Sequence, residues 1–150
     1  MPYMETKKNI AAAVVGTSLM TLFSYLLTKS QKKNYTEPEV LSEIVDENNS
    51  SVSEKEAKAL GWTAHYGVGL AFTSAYSLIW EHTSIKPSIA SGATLGALSG
   101  LLGILGWSQL FQMHHSTSTT YKAEYYMQLI LAHIIFGIGA AKGYKLGSKF

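Results

Sequence analysis

Apolar positions along this chain gather into four long runs, Ile10 to Thr28, Leu60 to Trp80, Pro87 to Phe111 and Gln128 to Leu146, with polar residues between them. Each run approaches the ~20 residues needed to cross a bilayer as a helix. The runs predict an all-α fold, a four-helix transmembrane bundle with helices near 8–28, 54–81, 87–111 and 122–146. Lys7 and Lys8 precede the first run, and Lys29, Lys32 and Lys33 follow it. It is long for the apolar part of an export signal and is followed by no small-residue cleavage pattern, so it reads as a retained membrane helix. Ser53 followed by Glu56 is a capping-box spacing and starts the second helix before its apolar run begins. Trp62 and Trp80 bracket that run, and Tyr125 and Tyr126 stand at the entrance to the fourth, as interfacial aromatics do. Pro87 fits the first turn of the third helix, where its missing donor costs nothing.

Within the runs, small residues recur at helical spacing. His133, Gly137, Ala140 and Tyr144 form one stripe, and His65, Gly69, Phe72 and Tyr76 repeat the same intervals. Gly16, Leu19 and Leu22 likewise echo Gly92, Leu95 and Leu98. The pattern predicts a parallel repeat of two helical hairpins about an axis along the membrane normal, with His65 and His133 inward at similar depth. Gly92, Gly96 and Gly100 are four apart, and small residues four apart let backbones touch in a bilayer. The expected helix-packing positions are therefore Gly16, Gly69, Gly92, Gly96, Gly100 and Gly137, with the third helix packed most centrally.

Residues 31–58 differ in kind. They hold seven of the ten acidic residues together with Pro38 and Asn48-Asn49-Ser50-Ser51. Val40, Leu41, Ile44 and Val45 are spaced to form a short interfacial helix, and a solvated loop is the alternative. Residues 1–150, this segment included, read as a single integral membrane domain. A soluble bundle would require a polar face on each helix, and Ile89 to Trp107 offers only serines and a threonine for one.

Composition narrows the chemistry. There is no cysteine, which excludes disulfides and thiolate metal sites, and no arginine, which excludes bidentate forks for phosphate or carboxylate. The net charge is +2 without a basic stripe, so nucleic acid is not an expected partner. The expected partners are the lipid bilayer and a protein partner or second copy of the chain. Gly67-Val-Gly69 and Gly137-Ile-Gly139 lack the third glycine and the strand of a dinucleotide site, and no nucleophile elbow or phosphate loop occurs. No enzymatic signature is left. Lysines divide evenly between the two predicted sides, and the acidic loop tips the expectation toward cytoplasmic termini.

Two intramembrane histidines remain as candidate chemistry. His65 and His133 could ligate haem iron or a transition metal, with His114 and His115 in the following loop as additional ligands. They could equally bridge helices by hydrogen bonds, with no cofactor at all. A proton path is disfavoured because no acid lies within the four runs.

The segments Ala13-Val-Val-Gly-Thr-Ser-Leu-Met-Thr, His65-Tyr-Gly-Val-Gly-Leu and His133-Ile-Ile-Phe-Gly-Ile-Gly resemble the YagU-like group of bacterial inner-membrane proteins. The resemblance covers the four helices and not the acidic loop. It implies a small multi-pass inner-membrane protein and carries over no catalytic residue. Two functional classes are open: a structural or partner-binding membrane module, and a haem-, metal- or small-solute-handling protein that uses the paired histidines.

Overall fold

In a computed structural model the described residues are 2–113 and 121–149, with the side chains of residues 2–4 excepted. They form five helices and no strand: α1 Pro2–Gln31, α2 Glu37–Asn48, α3 Glu54–His82, α4 Ile89–Met113 and α5 Lys122–Gly147. The four long helices follow the apolar runs. α1, α4 and α5 are each long and apolar enough to cross a membrane. α3 is 29 residues long but less apolar, carrying Thr63, His65, Thr73, Ser74 and Ser77 in its middle. His114 and His115, expected in a loop, lie outside the described residues.

Local chemistry sets the ends. Ser53 and Glu56 form the capping box on α3, each side chain bonded to the other's backbone nitrogen. α4 begins two residues after Pro87, because Ser88 caps it instead: its Oγ accepts from Ser91 N at 3.0 Å, and its carbonyl accepts from Gly92 N. α1 ends at Gln31, and Lys32 follows with φ 54°, a left-handed residue just past a helix C-terminus. The chain is then stitched back on itself, with Tyr35 N donating to Thr28 Oγ1 and Thr36 N to Asn34 Oδ1.

Residues 37–48 are not a loop. α2 folds back over the bundle end, burying Glu37, Pro38, Val40, Ser42 and Ile44. Gly61 of α3 makes this approach possible, since a Cβ there would lie 2.6 Å from Ser42 N and 2.7 Å from the Pro38 carbonyl oxygen.

The helix at the centre is α5. In its apolar stretch 56% is buried, against 39% in α1 and 22% in α4. This corrects the expectation that the glycine-rich third span is innermost. α5 has two small-residue edges. Gly137 meets Gly92 and Gly96 of α4, where a Cβ would lie 2.9 Å from the Gly92 carbonyl carbon. Gly139, Gly143 and Gly147, four apart, meet α1 at Gly16, Ala11 and Lys8. The row of glycines on α4 brings one neighbour close; on α5, Gly137 admits α4 and the row Gly139, Gly143, Gly147 admits α1.

α3 lies antiparallel to α1, joined by Asn9 Nδ2 to Ser74 Oγ at 2.7 Å and by Ser18 to Tyr66 at 2.9 Å. It faces α5 diagonally through aromatic rings, with Tyr76 on Phe136 at 5.9 Å and Trp80 on Tyr144 at 5.1 Å. The packing is not evenly two-fold. α1 and α4 both lie along α5, whereas α3 and α4 scarcely approach each other. Gly16 meets Phe136 of α5, while Gly92, its sequence counterpart, meets Gly137.

Several residues expected at the membrane surface belong to the core. Tyr125 is fully buried between Trp107 and Phe111, 5.2 Å from each ring, and Trp80 is buried as well. Glu81, exposed in the last turn of α3, accepts from the Tyr144 hydroxyl and lies 4.0 Å from Lys8 Nζ.

Candidate functional site

α3 and α4 stand apart along most of their length and are bridged at one level. Tyr76 bridges the two helices, its hydroxyl lying 3.0 Å from the Leu95 carbonyl oxygen and 2.5 Å from Ser99 Oγ. Ser99 bonds across to a second helix. Its buried place opposite Tyr76 makes it part of the bridge. Toward α2 the helices diverge and leave a crevice of about 240 Å³.

The crevice has an apolar body and a polar inner wall. Val68 and Phe72 of α3 and Leu102, Gly106, Trp107 and Leu110 of α4 form the body. Val68 and Leu102 are among the exposed large apolar residues, so the opening faces outward from the bundle side. Gly106 has no atom within 4 Å of an added Cβ, unlike Gly96 or Gly100, and its missing side chain leaves space instead of admitting a neighbouring backbone. Thr17, His65, His133 and Glu37 supply the polar wall, one each from α1, α3, α5 and α2.

Both histidines are buried, and their hydrogen bonds fix their tautomers. Thr21 Oγ1 donates to the Thr17 carbonyl at 2.7 Å, so its proton is committed. At the 2.9 Å contact with His65 Nε2 it therefore accepts, and His65 carries its proton on Nε2. His133 Nδ1 lies 2.8 Å from the Leu129 carbonyl, which can only accept. In the neutral ring Nε2 of His133 is then the lone-pair nitrogen. That edge of the ring lies beside Gly103, where a Cβ would sit 3.2 Å from Cε1 and 3.3 Å from Nε2. Phe72 stands edge-on to the same ring at 5.8 Å.

Glu37 is the residue that the sequence pattern concealed. It stands in the acidic segment, yet it is 1% exposed. Ser24 Oγ donates to its Oε1 at 2.8 Å, and Gln128 Nε2 contacts both Ser24 Oγ at 2.6 Å and Glu37 Oε1 at 3.2 Å. Burial pushes its pKa from 4.5 up to about 7, against the lowering effect of its own backbone and of these donors. Its second oxygen, Oε2, has no hydrogen-bond partner, and neither has Thr17 Oγ1. Buried polar atoms are nearly always bonded, and both of these exceptions belong to residues that line the crevice. Gln128 Oε1 and the Tyr125 hydroxyl beside this group are also unpartnered.

The glycines of the predicted packing set are placed as follows. Gly92, Gly96 and Gly100 meet α5, Gly137 meets α4, Gly16 meets Phe136, and Gly69 is filled by the Thr17 hydroxyl. Gly61 and the row Gly139, Gly143, Gly147 were missed, although the row's spacing of four was legible.

No three His, Cys, Asp or Glu residues among those described come together as a metal site. The bonded nitrogens of His65 and His133 are engaged by a threonine and a backbone carbonyl. Their geometry is that of hydrogen-bonded side chains lining a crevice. Compared with known proteins, the chain matches no family model, no curated protein and no solved structure.

Proposed function

We propose that this chain is a small multi-pass membrane protein that binds a lipophilic ligand in the crevice between α3 and α4. The supporting observation is the crevice itself: an apolar body open on the bundle side, leading to a polar inner wall built by four helices. A site open in this direction is loaded from the membrane, not from water. Apolar body and few polar groups is the usual composition of a small-molecule site. In this reading α3 crosses the membrane with α1, α4 and α5. Its antiparallel alignment along α1 supports that, and four crossings place both termini on one side. α2 then covers the end of the bundle at the opposite surface.

The test is to fill the crevice without disturbing the helix contacts. Gly106→Phe adds a ring where an added Cβ meets nothing. Lipophiles extracted from protein purified in mild detergent are compared for parent and variant by mass spectrometry. A molecule held stoichiometrically by the parent and reduced at least about tenfold in the variant, at unchanged thermal stability, is the expected result. An identical extract from both proteins would count against the site.

A further inference from the structure

We propose that the crevice selects an uncharged lipophile carrying a hydroxyl head, a long-chain phenol or alcohol, whose proton is donated to the polar wall. This rests on the reading of the crevice as a ligand site and goes on to assign the ligand's chemical class.

No lysine lines the crevice, so an anionic head such as a carboxylate or phosphate has no counter-ion there. Such a head would also meet Glu37. At pH 8, above its pKa of about 7, Glu37 is ionised, and a buried like-charge approach is strongly unfavourable. His133 presents a lone pair at Nε2, because its other nitrogen is committed to the Leu129 carbonyl. Thr17 Oγ1 and Glu37 Oε2 are both 1% exposed by residue and both unpartnered. The lone pair of His133 requires a donor. The Thr17 hydroxyl can donate or accept. A hydroxyl, which donates once and accepts twice, is complementary to this set, whereas an ether or ester has no proton to give. The body of the crevice suits the remainder of such a molecule, since Phe72, Leu102, Trp107 and Leu110 supply aliphatic and aromatic contact without charge.

The experiment uses the full chain in nanodiscs and four radiolabelled probes of one chain length: 4-dodecylphenol, 4-dodecylanisole, dodecanoate and dodecyltrimethylammonium. Binding is measured at pH 8 as saturable uptake above that of empty discs. The phenol is expected to bind at least about tenfold more tightly than the anisole, the difference a buried hydrogen bond makes. The advantage should fall to about twofold or less in His133→Phe, with anisole uptake unchanged. Thr17→Val, a closer match in shape, should reduce the same advantage and serves if the first variant does not fold. Equal binding of phenol and anisole overturns the hydroxyl assignment while leaving the ligand site standing. Tighter binding of dodecanoate or dodecyltrimethylammonium overturns it in favour of a charged head. Uptake no greater than empty discs for every probe overturns the ligand site together with the assignment.

Discussion

Gly96→Leu is expected to deplete folded protein severely, whereas Thr94→Leu, two residues away on the same helix, is expected to be nearly silent. A Cβ at Gly96 would run into the His133 carbonyl and lie 2.9 Å from Ile134 Cα. Those atoms belong to the backbone of the central helix, which cannot rotate aside as a long side chain can. Overpacking of a core costs about 1–3 kcal/mol, and more when the obstruction is rigid. The variant should therefore lose about 3 kcal/mol or more, or separate α4 from α5 altogether. Thr94 faces outward, its hydroxyl bonded to the Ala90 carbonyl at 3.0 Å, and a surface change of this kind moves stability by only about 0.5 kcal/mol. Size-exclusion chromatography and thermal unfolding in the same detergent measure both. Similar losses for the two variants would remove the close α4–α5 contact from this account.

Glu37 is expected to make the protein less stable as pH rises from about 4.5 to 7. The folded chain holds the Glu37 proton up to about pH 7, while the unfolded chain releases it near 4.5. Between those values the folded state binds more protons than the unfolded state, so stability falls with pH and levels off above the window. At 1.36 kcal/mol per unit the gap amounts to roughly 3 kcal/mol. Glu37→Gln keeps an oxygen for Ser24 and Gln128 to donate to and removes the titration. The variant should be about as stable as the parent at pH 4.5 and clearly more stable at pH 8, seen as a higher Tm. Parallel Tm-against-pH curves for parent and variant would show that Glu37 is not a buried titrating acid. Glu43, also raised by burial, slopes the same way in both proteins and cancels in the comparison.

The helices were legible because each apolar run has a chemical stop: Ser53 with Glu56 starts α3, and the polar turn after Trp80 ends it. Centrality was not legible from glycine density. The row Gly92, Gly96, Gly100 reports how closely one neighbour approaches, not how many neighbours there are. The second row, Gly139, Gly143, Gly147, was the missing half of that inference. Tyr125 and Trp80 lie at ends of apolar runs, as interfacial rings do, but their faces are covered by α4 and α5, respectively. Glu37 was hidden for a different reason. An acid next to Pro38 in an acidic stretch looks solvated. Its clue was elsewhere, in Ser24 and Gln128, polar residues within or at the edge of apolar runs that need partners. The crevice follows from α3 and α4 standing apart, and that depends on tertiary packing that no local pattern encodes.

The central claim is that the space between α3 and α4 is open to the membrane. Versions of the chain that each retain one tryptophan, Trp107 or Trp80, are placed in bilayers whose acyl chains carry bromine. Both side chains are buried against protein, Trp107 at 8% exposure and Trp80 at 2%, but only Trp107 lines the crevice. The account predicts strong quenching of Trp107, little of Trp80, and protection of Trp107 when Gly106→Phe fills the space. Equal shielding of the two, or quenching of Trp107 that Gly106→Phe leaves unchanged, would contradict it.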